Sequence, residues 1–221
     1  MSSSDSVFRI AVLASGGGTN LQAIIDQLHG KDGIEVAGVG SDKPDAFALE
    51  RARSVMIETA VFPGSEYPDR ETRDEKMADW IESLGADLVV LAGYMQLVSA
   101  GFVERFRHRI INVHPALLPA FPGLDAIGQA VRHGVRITGV TVHFVDEGTD
   151  TGPVILQRAV EVPGGGRENL EETIHAVEHE IYPEAIGMIA RGKVRIAADN
   201  PRRVIIDGPT EETDKGGDGQ H

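Results

Sequence analysis

Short apolar-rich runs recur along the chain: Phe8 to Ala14, Ile34 to Val39, Ile57 to Phe62, Asp87 to Ala92 and Ile110 to His114. Each is too short for a stable helix and reads as a covered strand. Between them the apolar positions fall at helical spacing. In 20-NLQAIIDQL-28, Leu21, Ile24, Ile25 and Leu28 share one face. In 69-DRETRDEKMADWIESL-84 the apolar side carries Met77, Trp80, Ile81 and Leu84. A long helix is predicted from Glu168 to Ile189, with Leu170, Ile174, Val177 and Ile181 as its core stripe. The runs 138-TGVTVHFV-145 and 154-VILQRAV-160 read as two further strands, an antiparallel extension of the same sheet. Strands alternating with helices imply right-handed crossovers. The expected fold is therefore α/β and doubly wound, a mostly parallel sheet with helices on both faces.

Composition narrows this picture. The 221 residues suffice for one substantial domain. No linker divides the chain, so residues 1–207 are expected to form a single domain. The end, 208-GPTEETDKGGDGQH-221, lacks apolar residues and is expected to be a disordered tail. A formal net charge of −13 argues against binding to nucleic acid or an anionic membrane. No apolar run approaches the roughly 20 residues that span a bilayer. The start, MSSSDSVFR, shows no secretory pattern, and there is no cysteine, which together fit a cytoplasmic protein.

In open α/β sheets, ligands bind beyond the carboxyl ends of the strands. Three predicted strand ends carry residues suited to chemistry. The first is 15-SGGGTNLQ-22. Three glycines let the backbone approach a ligand closely, and Thr19 or Asn20 is placed to cap the following helix. The stretch lacks the lysine of a P-loop and the third glycine of a dinucleotide fingerprint. It reads either as a tight capped turn or as a phosphate-binding turn, and the other strand ends favour the second. The second end is 93-GYMQLVS-99. The third is 110-IINVHPALLPAFPG-123, where Asn112 and His114 lie two apart on one face and Pro115 stops the strand. An amide donor beside an imidazole suits a carbonyl that becomes a tetrahedral oxyanion.

Two further segments matter. The acidic loop 146-DEGTDTGP-153 carries Asp150, which could face His114 or simply stand in solvent. Residues 175-HAVEH-179 match the H-x-x-E-H pattern of some zinc hydrolases, yet nothing nominates a third ligand. Glu178, beside the helix stripe, is expected to point into a cleft. His143 lies in an alternating strand and is expected to pack.

Taken together and in order, SGGGTNLQAII, LAGYMQLVS, NVHPALLPAFPG, TGVTVHFVDEGTDTGPVILQ and EHEIYP resemble the folate-dependent phosphoribosylglycinamide formyltransferase family of purine biosynthesis. The resemblance runs from about Arg9 to Ile189. It implies that glycinamide ribonucleotide and 10-formyltetrahydrofolate meet above the strand ends. Gly18, Thr19 and Asn20 would hold the phosphate, and Glu178 the ribose hydroxyls. Arg70, Met95, Gln96, Leu97 and Val98 would contact the folate, with Asn112, Asp146 and Asp150 adding to that site. Asn112, His114 and Asp150 match the catalytic trio, and no metal is required. The sequence departs from the family pattern at 124-LDAIGQA-130 and at Gln96, where Arg or Lys is common. Partners would be small molecules, and the choice between monomer and homodimer stays open. A formyltetrahydrofolate hydrolase, a tRNA formyltransferase and a non-catalytic sugar-phosphate binder are the rival readings. The first two usually carry an extra domain, for which this chain is expected to have no room.

Overall fold

A computed structural model describes residues 7–162 and 167–207. The tail 208–221 lies outside these residues. Seven strands form one sheet in the order β3-β2-β1-β4-β5-β6-β7. The five parallel strands are β1 (Phe8–Leu13), β2 (Ile34–Ser41), β3 (Glu58–Val61), β4 (Leu88–Leu91) and β5 (Ile110–His114). The extension β6 (Ile137–Phe144) and β7 (Val154–Glu161) runs antiparallel, as its alternation suggested.

The strands are apolar on both faces because helices cover both. Ile10 and Val12 of β1 face a cluster built with Leu21, Ile24 and Ile25 of α1 (Thr19–Leu28) and Ile174, Ile181 and Tyr182 of α6 (Arg167–Ala190). Ala11 and Leu13 face the opposite cluster, with Met77 and Ile81 of α3 (Arg70–Ser83) and Phe102 of α4 (Ala100–Arg105). This period-2 division explains why the strands read as unbroken apolar runs. Each fully buried Leu or Ile contributes about 1.5–3 kcal/mol. Tyr182 is fully buried, and its hydroxyl reaches the carbonyls of Leu91 at 3.0 Å and Ile111 at 3.1 Å, fastening α6 to the seam of β4 and β5.

Five elements show no clear periodic signal. α2 (Phe47–Ser54), α4 and α5 (Ala126–His133) have eight residues or fewer, too few turns to show a repeat. α5 occupies the segment that departs from the family pattern. The hairpin of β8 (Val194–Ala197) and β9 (Asn200–Ile206) forms a separate two-stranded sheet. No helix among the described residues is long and apolar enough to cross a membrane.

Connections from β1 lead to β2 on one side, and β4 joins β1 on the other. Their diverging crossovers open a crevice between the carboxyl ends of β1 and β4, where such sheets hold ligands. The two ends are stitched together. Ser15 donates its backbone N–H to Gly93 O at 3.1 Å, and its hydroxyl accepts from Met95 N at 2.8 Å.

Candidate active site

β5 delivers Asn112 and His114 at its last turn of pleat, and β6 lies antiparallel beside it. The register sets Asn112 opposite His143 and His114 opposite Thr141. Residues directly opposite share a face, so all four point the same way. His114 is 5% exposed, and each of its ring nitrogens has an oxygen before it: Nδ1 lies 3.3 Å from Asp150 Oδ2, and Nε2 lies 2.8 Å from Phe121 O. Asp150 Oδ2 also accepts from Gly123 N at 2.7 Å. Burial pushes the Asp150 carboxyl up. Contact with His143, the Gly123 N–H and the neighbouring imidazoles outweigh it, holding the group below the usual carboxylate range.

The alternation of β6 assigned His143 to packing, and it is buried. Its Nε2 nevertheless lies 3.4 Å from Asn112 Nδ2 and 3.6 Å from Asp150 Oδ1. Its Nδ1 meets Phe144 O at 2.8 Å, which orients the ring. His143 is thus part of the same polar set, and only the cross-strand register reveals it.

The loop 146–153 is shaped to bring Asp150 to this place. Asp146 Oδ1 accepts from Gly148 N at 3.1 Å and Thr151 Oγ1 at 2.6 Å, tying the loop to itself. Gly152 passes so close to β6 that an added Cβ would lie 1.8 Å from Phe144 O. Asp150 itself adopts φ 53°, a left-handed conformation that Asp and Asn tolerate better than most residues. Asp146 bonds within its loop and does not touch His114 or Asn112.

At the end of β1, the glycine turn leads into α1. The sequence placed a side-chain cap on Thr19 or Asn20. The structure corrects this: Gly18 is the N-cap, at φ 68°, and no side chain caps the helix. Asn20 instead donates from Nδ2 to Glu178 Oε2 at 3.0 Å. The reason is geometric, since a residue already inside the first turn points away from its own N-terminal amides, and Glu178 offers a charged acceptor. The first amides of α1 are left without a side-chain acceptor, the condition in which a helix end receives an anion.

Glu178 is 4% exposed and does point inward, joining α6 to α1. His175 Nδ1 lies 3.1 Å from the same carboxylate oxygen. That bond holds His175 above the ordinary imidazole value, more than offsetting its partial burial, whereas burial pushes His179 below it. Charged His175 therefore persists as pH rises past 6.5 and is lost only as pH passes its raised value. In Glu178→Gln, the His175 midpoint followed by NMR should fall back toward 6.5. An unchanged midpoint would exclude Glu178 as the cause. His175 and His179 do not join a wider ligand set; among the described residues no cluster of three or more His, Asp or Glu is placed to hold a metal.

The stretch 95–98 follows β4. Met95, Gln96 and Leu97 are exposed and Val98 is half-buried. Arg70 opens α3 one residue after its cap, Asp69, which accepts from Thr72 N at 2.7 Å. Arg70 is exposed and, among the described residues, bonds only the adjacent Glu71, at 3.4 Å, so the structure does not bring it to the other folate candidates. Arg73, one turn further, does approach them, with Nη2 3.4 Å from Leu97 O. The spacing of Arg73 and Asp74 to Met77 puts them on the buried face of α3, the one signal that could have found them.

A buried imidazole beside a half-buried carboxylate and amide, at the same carboxyl edge of a doubly wound sheet as an anion-receptive helix end, suits a group-transfer enzyme. Comparison with known proteins agrees, since residues 8–186 match the family model described as formyl transferase. The chain is 41% identical over 180 residues to phosphoribosylglycinamide formyltransferase of Bacillus subtilis, covering 80% of this chain and 92% of that protein. It is 42% identical over 189 residues to the Escherichia coli (strain K12) enzyme of the same name, covering 85% and 89%. Its fold matches the crystal structure of glycinamide ribonucleotide transformylase 1 from Symbiobacterium toebii with a TM-score of 0.87. That match has 47% identity and covers 93% and 96% of the two chains. The chain belongs to the phosphoribosylglycinamide formyltransferase family.

Proposed function

We propose that this protein transfers the formyl group of 10-formyltetrahydrofolate to the amine of glycinamide ribonucleotide, a step of purine biosynthesis in the cytoplasm, and that residues 1–207 act as one catalytic domain. The observation that carries this reading is the set His114, Asp150 and Asn112 gathered at the end of β5.

In the reaction, the amine nitrogen attacks the formyl carbon and an N–C bond forms. The carbonyl oxygen takes the negative charge, which Asn112 Nδ2 and the imidazolium of His114 receive. Asp150 lies against His114 Nδ1, so the ring offers Nε2–H to the oxyanion once Phe121 O gives way. The tetrahedral centre collapses, the bond from carbon to N10 of the folate breaks, and the proton lost by the amine passes, through water, to N10. The reaction so written uses no metal and no covalent enzyme intermediate. Removing one such oxyanion donor typically costs about 3 kcal/mol of transition-state stabilisation.

Binding follows the same division of the crevice. The Gly18–Thr19–Asn20 turn at the start of α1 takes the ribonucleotide phosphate on its free amides, and Glu178, beside Asn20, takes the ribose hydroxyls. Met95, Gln96, Leu97 and Val98 take the folate ring, largely through backbone groups, with Asn112, Asp146 and Asp150 completing that side. Holding both reactants in register supplies roughly 7–11 kcal/mol of the barrier reduction in well-oriented cases.

The test is purified protein with 10-formyltetrahydrofolate, with and without glycinamide ribonucleotide. Loss of the formyl group should require the ribonucleotide. Formate released without it would identify a hydrolase, and no turnover under either condition would identify a binder.

A further inference from the structure

The stretch from Gly93 to Ser99 forms no helix or strand, yet it presents two large apolar side chains to solvent, Met95 at 64% and Leu97 at 65% exposure. Loops of this kind usually have low local stability. This one is fastened from beneath at almost every residue. Besides the two bonds to Ser15, Gln96 Nε2 donates to Asp42 Oδ2 at 3.1 Å, Arg73 Nη2 approaches Leu97 O, and Ser99 N donates to Asp74 Oδ2 at 2.5 Å. Tyr94 is buried, its hydroxyl 3.8 Å from Met77 Sδ.

The fastenings converge on buried charge. Arg73 is 4% exposed and donates from Nε at 2.9 Å and Nη2 at 2.8 Å to Asp74 Oδ1, and Asp74 is 1% exposed. Asp42, just after β2, is 8% exposed, and its Oδ1 has no partner among the described residues. Asp74 thus holds the guanidinium directly, while Asp42 acts on it only through its charge. Burial alone would lower the proton affinity of Arg73, but the Asp74 bond, with the charges of Asp74 and Asp42, more than restores it. Desolvating each ion costs several kcal/mol, and apolar residues of similar volume would often serve stability equally well. What the charges uniquely do is accept from, and donate to, the loop above them.

We propose that Asp42, Arg73 and Asp74 are positioning residues for the cofactor: they pin the Gly93–Ser99 loop from below, so that Met95 and Leu97 stand ready for the ring of 10-formyltetrahydrofolate. The inference rests on the reading of Met95–Val98 as the folate-binding stretch. None of the three need touch either reactant. Pre-ordering the loop removes an ordering cost from binding, which appears in cofactor affinity and not in the chemical step.

The experiment compares Asp42→Ala, Asp42→Asn and Leu97→Ala by steady-state kinetics with each substrate varied, alongside thermal unfolding. Asp42→Ala should raise KM for 10-formyltetrahydrofolate by about tenfold, leaving kcat and KM for the ribonucleotide within about twofold. Asp42→Asn keeps an acceptor for Gln96 and should restore most of the loss. Leu97→Ala should raise the same KM. If it does while folded Asp42→Ala keeps the parental cofactor KM, the positioning role is overturned and the folate reading survives. If Leu97→Ala leaves cofactor KM unchanged, the underlying reading fails and takes the proposal with it. Parallel loss of kcat and both KM values, or no rescue by Asn, would mark a merely structural role and overturn it. Should Asp42→Ala not fold, amide exchange at Leu97 and Ser99 in Gln96→Ala, which removes the donor to Asp42, decides. Faster exchange supports the pinning, and unchanged exchange overturns it.

Discussion

Asp150→Asn should lower kcat by about 10²- to 10⁴-fold, the range associated with loss of a general acid–base element, while the protein folds normally. The substitution is unusually clean here. Asn tolerates φ 53° as Asp does, and its amide oxygen can still accept from Gly123 N at the observed 2.7 Å. What disappears is the negative charge 3.3 Å from His114 Nδ1. His114→Ala should lose a comparable factor, and the double variant should be little worse than either single one, because residues acting as a unit are strongly non-additive. Rates near the parental value in both single variants would remove the trio from the mechanism. The carboxyl's lowered pKa also carries a sign: Asp150 stays ionised down through its ordinary value of 3.8, so activity lost between pH 7 and pH 5 must come from another group.

Gly18→Ala should damage both stability and substrate binding. Gly18 sits at φ 68° as the N-cap of α1, and a Cβ there would lie 2.8 Å from Ala48 Cα, a backbone atom that cannot swing aside. The left-handed conformation costs a non-glycine residue about 1–2 kcal/mol. Crowding adds about 1–3 kcal/mol. The turn must shift to relieve them, and with it the amides aimed at the phosphate. Chemical denaturation should show a loss of roughly 2–5 kcal/mol, the sum of the two. KM for glycinamide ribonucleotide should rise by about tenfold or more, as one lost charge-assisted bond predicts. At Gly17 an added Cβ meets nothing within 4 Å, so Gly17→Ala should keep nearly full stability. Equal stability of the two variants would show that the close approach to Ala48 does not constrain the turn.

Much of the site could be read before any coordinates. The strand-end rule placed the glycine turn, the 93–99 stretch and Asn112 with His114 on one edge of the sheet, and β1, β4 and β5 are indeed neighbours. The α6 stripe brought Glu178 inward because a residue next to Val177 and one turn before Ile181 lies on the covered face. His143 is buried, as its alternating strand implies, but its contacts with Asn112 and Asp150 are not legible in that alternation. Alternation tells which face a side chain takes within its strand, but not what stands opposite, and the β5–β6 register joins residues 31 positions apart. Arg73 and Asp74 were passed over because charged residues on an exposed helix are the common case, and only the loop packed above α3 makes them exceptional.

Short-range periodicity was enough to specify the strands, the long helices and the edge on which a ligand would sit, since side-chain direction within a regular element repeats with its geometry. The meeting of Asp150 with His114, the bond from Asn20 to Glu178 and the anchoring of the 93–99 loop followed no repeat. They depend on irregular backbone, on a left-handed Asp150, a glycine pressed against Phe144 O and a helix end left uncapped, and those conformations arise only when distant parts of the chain pack against one another.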